Sequence, residues 1–153
     1  MPIFGYILAM KSAEIHILTD EIINKIAAGE VIERPASAVK ELIENAIDAG
    51  ASRIQVQIEQ GGKKKILVSD NGKGMGKADL DLCYLRHTTS KLTNADDLFH
   101  LQTNGFRGEA VASIAAVSKM TITTATDDGE SNRLVLLGGK VQEEEPVAAS
   151  RGT

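Results

Sequence analysis

Between residues 35 and 50 the apolar positions recur with the period of a helix. At 100° per residue, Val39, Leu42, Ile43, Ala46 and Ile47 fall on one side, while Glu41, Asn45 and Asp48 gather on the other. Pro35 stands at or near the first turn and Gly50 follows the last, the punctuation expected of a helix. Asn45 is the anomaly in "KELIENAIDAG" (40–50). Its short amide competes for the backbone, so the middle of a helix is a poor place for it.

The pattern then switches to a period of two. Ile54, Val56 and Ile58 alternate with polar neighbours in "RIQVQIEQ" (53–60), which predicts a half-buried strand. Gly61-Gly62 turns the chain, and "KILVSD" (65–70) completes a hairpin. A helix over about 77–86 presents Leu80, Leu82, Cys83 and Leu85. "VASIAAV" (111–117) predicts a buried helix, and 119–126 and 132–139 predict strands around an Asp-Asp-Gly turn. A further strand is expected within 140–153. Upstream, Thr19 or Asp20 caps a short helix carrying Ile22, Ile23 and Ile26, closed by Gly29. "ADDLFHL" (95–101) reads as a turn or short helix. Helices and antiparallel hairpins interleave without regular βαβ alternation, which makes the fold class α+β.

Composition narrows this picture only slightly. A chain of 153 residues supports one domain. Aromatics make up 3% and Trp is absent, so the core must be built from Ile, Leu, Val and Ala. The formal charge of -4 does not advertise nucleic-acid affinity, and Lys63–Lys65 reads first as a solvated turn. Cys83 is the only cysteine, which excludes an internal disulfide and a cysteine-cluster metal site and suggests a small core residue. His16, His87 and His100 have no zinc-site spacing, and no GxSxG elbow exists. "MPIFGYILAM" lacks a basic flank and is shorter than the roughly 20 residues of a membrane span. Residues 1–16 are therefore expected to be a poorly ordered leader, with Met1 and Met10 alternative starts, and the protein to be cytoplasmic.

Chemistry concentrates where elements hand over. In "DNGKGMG" (70–76) the glycines let bare backbone approach a ligand. Asp70 ends its strand with an acceptor-only carboxylate that suits an exocyclic amine, although an ordinary Asp-Asn-Gly turn looks the same. "GFRGEAVASI" (105–114) places Gly105 and Gly108 just before a helix, where unpaired N–H groups favour anions such as phosphate. Arg107 adds charge there or pairs elsewhere. On the opening helix, Glu41 could act as general base and Asn45 could offer Mg²⁺ a neutral oxygen; the plain alternative is a solvated polar face. Thr89, Ser90 and Lys91 in "RHTTSK" suit phosphate or an ordinary loop equally.

In this order, "NKIAAGEVIERPASAVKELIENAIDAGA", "DNGKGM", "RHTTSK" and "GFRGEAVASI" resemble the N-terminal ATPase region of MutL-type DNA mismatch-repair proteins. That superfamily includes DNA gyrase, heat-shock chaperones and histidine kinases. The resemblance runs from about Ile17 to Thr153. It implies a layered α/β sandwich of the Bergerat type, a mixed sheet covered on one face by helices, with residues 17–153 an ATPase domain truncated at its C-terminal end. It implies ATP and Mg²⁺ as cofactors, Glu41 as the water-activating base and Asn45 as the metal ligand. Asp70 would recognise adenine and Gly74 would give the base room. Thr89, Ser90 and Lys91 would fall in the nucleotide lid, and Gly105, Phe106, Arg107, Gly108, Glu109, Ala110 and Val111 at the phosphate turn. Thr153 would match a Gly-Thr pair that flanks adenine, and Asp48 would play a supporting part.

The resemblance further implies an ATP-driven conformational switch coupling mismatch recognition to downstream processing. Its partners would be a MutS-type mismatch-recognition protein, DNA held weakly and mainly by the intact protein, and a second copy in the full-length protein, with no membrane involved. Val111 stands where the family usually has leucine. The chain stops at Thr153, so a slow Mg-dependent ATPase is expected of it. A phosphotransfer or chaperone ATPase of the same fold is disfavoured by "GFRGEA", and a non-catalytic binding fragment remains the alternative.

Overall fold

A computed structural model describes residue 29, residues 34–85 and residues 109–153 of the chain. Helix α1 runs Pro35–Asp48, strands β1 and β2 are Ile54–Glu59 and Lys65–Asp70, and helix α2 is Lys77–Cys83. Helix α3 (Ala110–Ala116) leads into β3 (Lys119–Ala125), β4 (Ser131–Leu137) and β5 (Lys140–Pro146). No described helix is long and apolar enough to cross a membrane.

Proline at the first position of α1 fits, because its missing N–H would have been unpaired there in any case. The helix closes through glycine. Gly50, at φ +75°, donates to the Ile47 carbonyl at 2.9 Å, and Ala51 donates to Ala46 at 3.1 Å. These two bonds satisfy carbonyls that the end of the helix leaves open.

The buried face of α1 differs from the expected one. Ala38 and Ala46 are its buried residues, while Ile47 is 59% exposed. Glu41 and Asn45, expected opposite the core, are half-buried. Helical period says which side chains share a face, but not how much of that face a neighbour covers. Here α1 lies over β2 and against α3, with two alanines on its inner side.

The β1–β2 hairpin is antiparallel, with Ile54 opposite Asp70, Val56 opposite Val68 and Ile58 opposite Ile66. One face is therefore apolar, as the alternation predicts. Ile66 and Val68 are half-buried, whereas Val56 and Ile58 of β1 stay exposed, short of the half-buried strand expected. The turn is a short 3₁₀ segment, Gln60–Gly62.

The second sheet is antiparallel in the order β3-β4-β5. The expected mixed sheet thus appears, among the described residues, as two antiparallel pieces. Helices α2 and α3 pack on the second one. Leu80, Ala115, Ile122, Leu134 and Leu136 form the core, and Met75, Cys83, Val111 and Met120 pack against it. Each fully buried leucine contributes roughly 1.5–3 kcal/mol relative to exposure. α2 ends at Cys83, earlier than expected, and Leu82 and Leu85 are exposed. β5 is an edge strand carrying Glu143, Glu144 and Glu145, charges that discourage pairing with another chain.

The end of the chain joins the two pieces. Gly152 exchanges main-chain hydrogen bonds with Ala125 at 2.9 and 3.0 Å, and the Asp70 N–H donates to the Thr153 carbonyl at 2.9 Å. The short helix expected around Ile22–Ile26 and the segments 86–91, 95–101 and 103–108 lie outside the described residues. Gly29, expected to close that helix, is itself helical.

Candidate active site

Asp70 and Gly74, four residues apart, meet the far more distant Thr153 where β2, the glycine loop and the chain end converge. The Asp70 carboxylate accepts the Gly72 N–H at 2.7 Å through Oδ1, so the turn reading of "DNG" is correct as local structure. It does not exclude a ligand, because a carboxylate accepts at two oxygens.

The glycines of this loop answer to the protein's own backbone. Gly74 has φ +68°, and a Cβ there would overlap the Ala125 carbonyl oxygen and lie 3.2 Å from that of Gly152. At Gly72 a Cβ would stand 2.8 Å from the Ala49 carbonyl oxygen. The room attributed to Gly74 for a base is thus first of all room for the end of β3. Gly152, at φ +117°, is equally constrained, since a Cβ there would overlap the Asp70 carbonyl oxygen.

The polar stripe of α1 runs into the same region. Glu41, Asn45 and Ala49 follow one another at intervals of four residues, hence on one face. Ala49 receives the Lys73 N–H at 2.9 Å. Asn45 therefore stands one helical turn, and Glu41 two turns, from a residue bonded to the glycine loop. Their half-buried state fits that placement and not a face open to bulk water. Asp48 is exposed, in keeping with a secondary part.

Of the turn expected to meet phosphate, only the exit lies among the described residues. Glu109 precedes α3, and its carbonyl accepts the Ser113 N–H at 2.8 Å. Ala110 opens the helix. The Val111 side chain goes to the core, so a ligand could meet only its backbone. α3 packs on α1, which brings the end of this turn to the helix that carries Glu41 and Asn45. Thr89, Ser90, Lys91, Gly105, Phe106, Arg107 and Gly108 lie outside the described residues.

Two residues at the site escaped the sequence reading. Asn71 accepts the Ser52 and Arg53 N–H groups at 2.9 and 2.8 Å and donates to the Ser52 hydroxyl at 2.9 Å, fixing the start of β1 to the end of β2. Thr124 is fully buried, and its hydroxyl accepts the Met75 N–H at 2.8 Å and lies 2.9 Å from that of Thr153. A signal for Thr124 existed: in "KMTITTA" the inward positions are Met120, Ile122 and Thr124, and a hydroxyl in an apolar series needs a partner.

Among the described residues no group of three or more His, Cys, Asp or Glu could cage a metal. The donor set instead suits a hard cation held by one neutral side-chain oxygen and completed by ligand phosphates and water, as Mg²⁺ is.

The profile of the histidine kinase-, DNA gyrase B- and HSP90-like ATPase family matches residues 32–149. The chain is 56% identical over 143 residues to the DNA mismatch repair protein MutL of Syntrophotalea carbinolica, covering 93% of this chain and 23% of that protein. To MutL of Staphylococcus aureus strain Newman it is 51% identical over 136 residues, covering 89% and 20%. The chain thus spans about a fifth of the curated relatives it matches. Among solved structures, the N-terminal domain of a DNA repair protein superposes with a TM-score of 0.68 at 31% identity, over 85% of this chain and 37% of that one. The Aquifex aeolicus MutL ATPase domain complexed with ADP gives 0.55 at 26%, over 80% and 40%. Sequence and fold agree, and the chain belongs to the histidine kinase-, DNA gyrase B- and HSP90-like ATPase family, in which it resembles the N-terminal region of MutL.

Proposed function

We propose that the chain binds an adenine nucleotide at the junction of β2, the glycine loop and Gly152-Thr153, and hydrolyses it as the ATPase region of a MutL-type mismatch-repair protein. The observation that carries this reading is the convergence of Asp70, Gly74 and Thr153 beside the end of the Glu41–Asn45–Ala49 stripe. The Aquifex aeolicus relative complexed with ADP supports it.

In this reading Asp70 accepts the adenine amino group, and Gly74 with Thr153 walls the base. Thr89, Ser90, Lys91 and the turn Gly105, Phe106, Arg107, Gly108, Glu109, Ala110 and Val111 contact the phosphates. The Asn45 amide oxygen would hold Mg²⁺, which neutralises phosphate charge when bound. Glu41 takes the proton of a water whose oxygen bonds the terminal phosphorus, while the bridging bond breaks and its electrons leave with ADP. Turnover by these 153 residues is proposed to be slow and Mg²⁺-dependent. In the intact protein, nucleotide binding would drive association with a second copy and work with a MutS-type protein on DNA, in the cytoplasm.

Substituting Glu41→Ala tests the assignment. Phosphate release should fall by at least about a hundredfold, as for loss of a general base, while ADP affinity stays within about twofold. Unchanged turnover would remove Glu41 from the chemistry, and loss of ADP binding would make it a binding residue instead.

A further inference from the structure

The glycine loop meets the end of α1, and a different feature lies at the start of that helix. There the first turn of α1 and the β1–β2 turn enclose an open cavity of about 240 Å³, lined by Pro35, Ala36, Val39, Ile58, Gly61 and Gly62. None of these residues has a polar side chain. Ile58 is 50% exposed, and Val56, two residues back on the same face of β1, is exposed as well. A Cβ at Gly62 would stand 2.8 Å from the Pro35 Cβ, so hairpin and helix touch at that point. A Cβ at Gly61 would meet nothing within 4 Å, which leaves that side open.

Positive charge flanks the apolar lining on both walls. Arg34 precedes Pro35 on the helix side, and Lys63, Lys64 and Lys65 follow Gly62 on the hairpin side. Lys64 and Lys65 share Glu59, at 2.7 and 3.9 Å. Arg34 and Lys63 make no ion pair among the described residues, and the first turn of α1 has no acidic residue. Among the described residues around the cavity, one glutamate thus stands against four cations, in a chain whose formal charge is -4.

The volume limits what can enter. Small-molecule sites begin at roughly 300 Å³, so this cavity suits one bulky apolar side chain. A nucleic-acid backbone would satisfy the cations and leave the apolar space empty. An apolar anchor in a small pocket, with complementary charge around it, is how a short protein segment is held.

We propose that the cavity docks an acidic linear segment of a partner protein. One anchor the size of leucine or phenylalanine enters between Val39 and Ile58, and flanking carboxylates lie against Arg34 and Lys63. The surface is independent of the nucleotide reading.

Fluorescence anisotropy of labelled nonapeptides with the 153-residue chain tests this. The probe carries a central leucine among aspartates and glutamates. One control replaces the leucine by serine, and the other replaces the acids by asparagine and glutamine. The acidic leucine peptide should bind saturably, at least about tenfold tighter than either control, and weaken as salt rises. Two exposed positions give variants that leave the core alone. Ala36→Leu fills the cavity and Lys63→Glu reverses a charge; each should weaken the peptide about tenfold, with thermal melts unchanged. Equal binding of the serine peptide would reduce the surface to general charge attraction and overturn the proposal. Unchanged affinity in both variants would overturn it too, as would failure of the leucine peptide to bind. A DNA duplex held in the peptide's place and lost in Lys63→Glu would show the patch to be a nucleic-acid surface instead.

Discussion

Asp70 and Thr153 are joined main chain to main chain, the N–H of the first donating to the carbonyl of the second at 2.9 Å. Because Gly152 is paired with Ala125 at the same time, one dipeptide ties the end of β2 to the end of β3. Three candidate residues owe their proximity to this tie and to the glycine loop beneath it.

Gly152→Ala should break the tie. Its φ of +117° is strained for any residue with a Cβ, and that Cβ would overlap the Asp70 carbonyl oxygen. Denaturant melts should show a loss of about 2 kcal/mol or more, against the smaller changes usual at surface positions. A melt unchanged from the parent would mean that the dipeptide does not occupy this position in solution.

Asn71→Ala removes the acceptor for the Ser52 and Arg53 N–H groups together with the donor to the Ser52 hydroxyl. A destabilisation of about 1–2 kcal/mol is expected by denaturant melts. Asn71→Asp keeps the acceptor oxygens and should lose less. Equal losses for the two would show that the amide donor, not the oxygen, holds the junction.

Burial pushes the Cys83 thiol from its ordinary value of 9.0 up to about 12. A raised pKa means that folding favours the protonated thiol, so this contribution is complete below about pH 9 and is lost as pH climbs towards 12. Melts should record declining stability across that window, and the decline should be smaller in Cys83→Ala. At pH 8 the native thiol should react with iodoacetamide far more slowly than a free cysteine, because the thiolate is the nucleophile.

Much of this was legible in the sequence because local rules and tertiary structure agree. Pro35 and Gly50 bracket α1, and the β2 limits, Lys65 and Asp70, match the expected strand. What failed was depth. Ile47 and Leu82 hold apolar positions in helical patterns, yet both are exposed, since a pattern reports a shared face and not the area a neighbour covers. At the site, Asp70, Gly74 and Thr153 could be named from motifs, but the reason for Gly74 could not. It lies in the Ala125 carbonyl, roughly fifty residues further on and visible only when β3 is placed. Thr124 was missed for the same cause: its value comes from what it meets.

The proposed adenine nucleotide sits where Asp70, Gly74 and Thr153 meet beside the α1 stripe. Titrating the isotope-labelled chain with ADP while recording its amide correlation spectrum tests this residue by residue. Saturable shifts are expected at Asn45, Asp70, Gly74, Thr124 and Thr153, with the exposed β5 edge unmoved. Shifts confined to β5 or to the β1–β2 turn, with those five amides silent at saturating ADP, would contradict it.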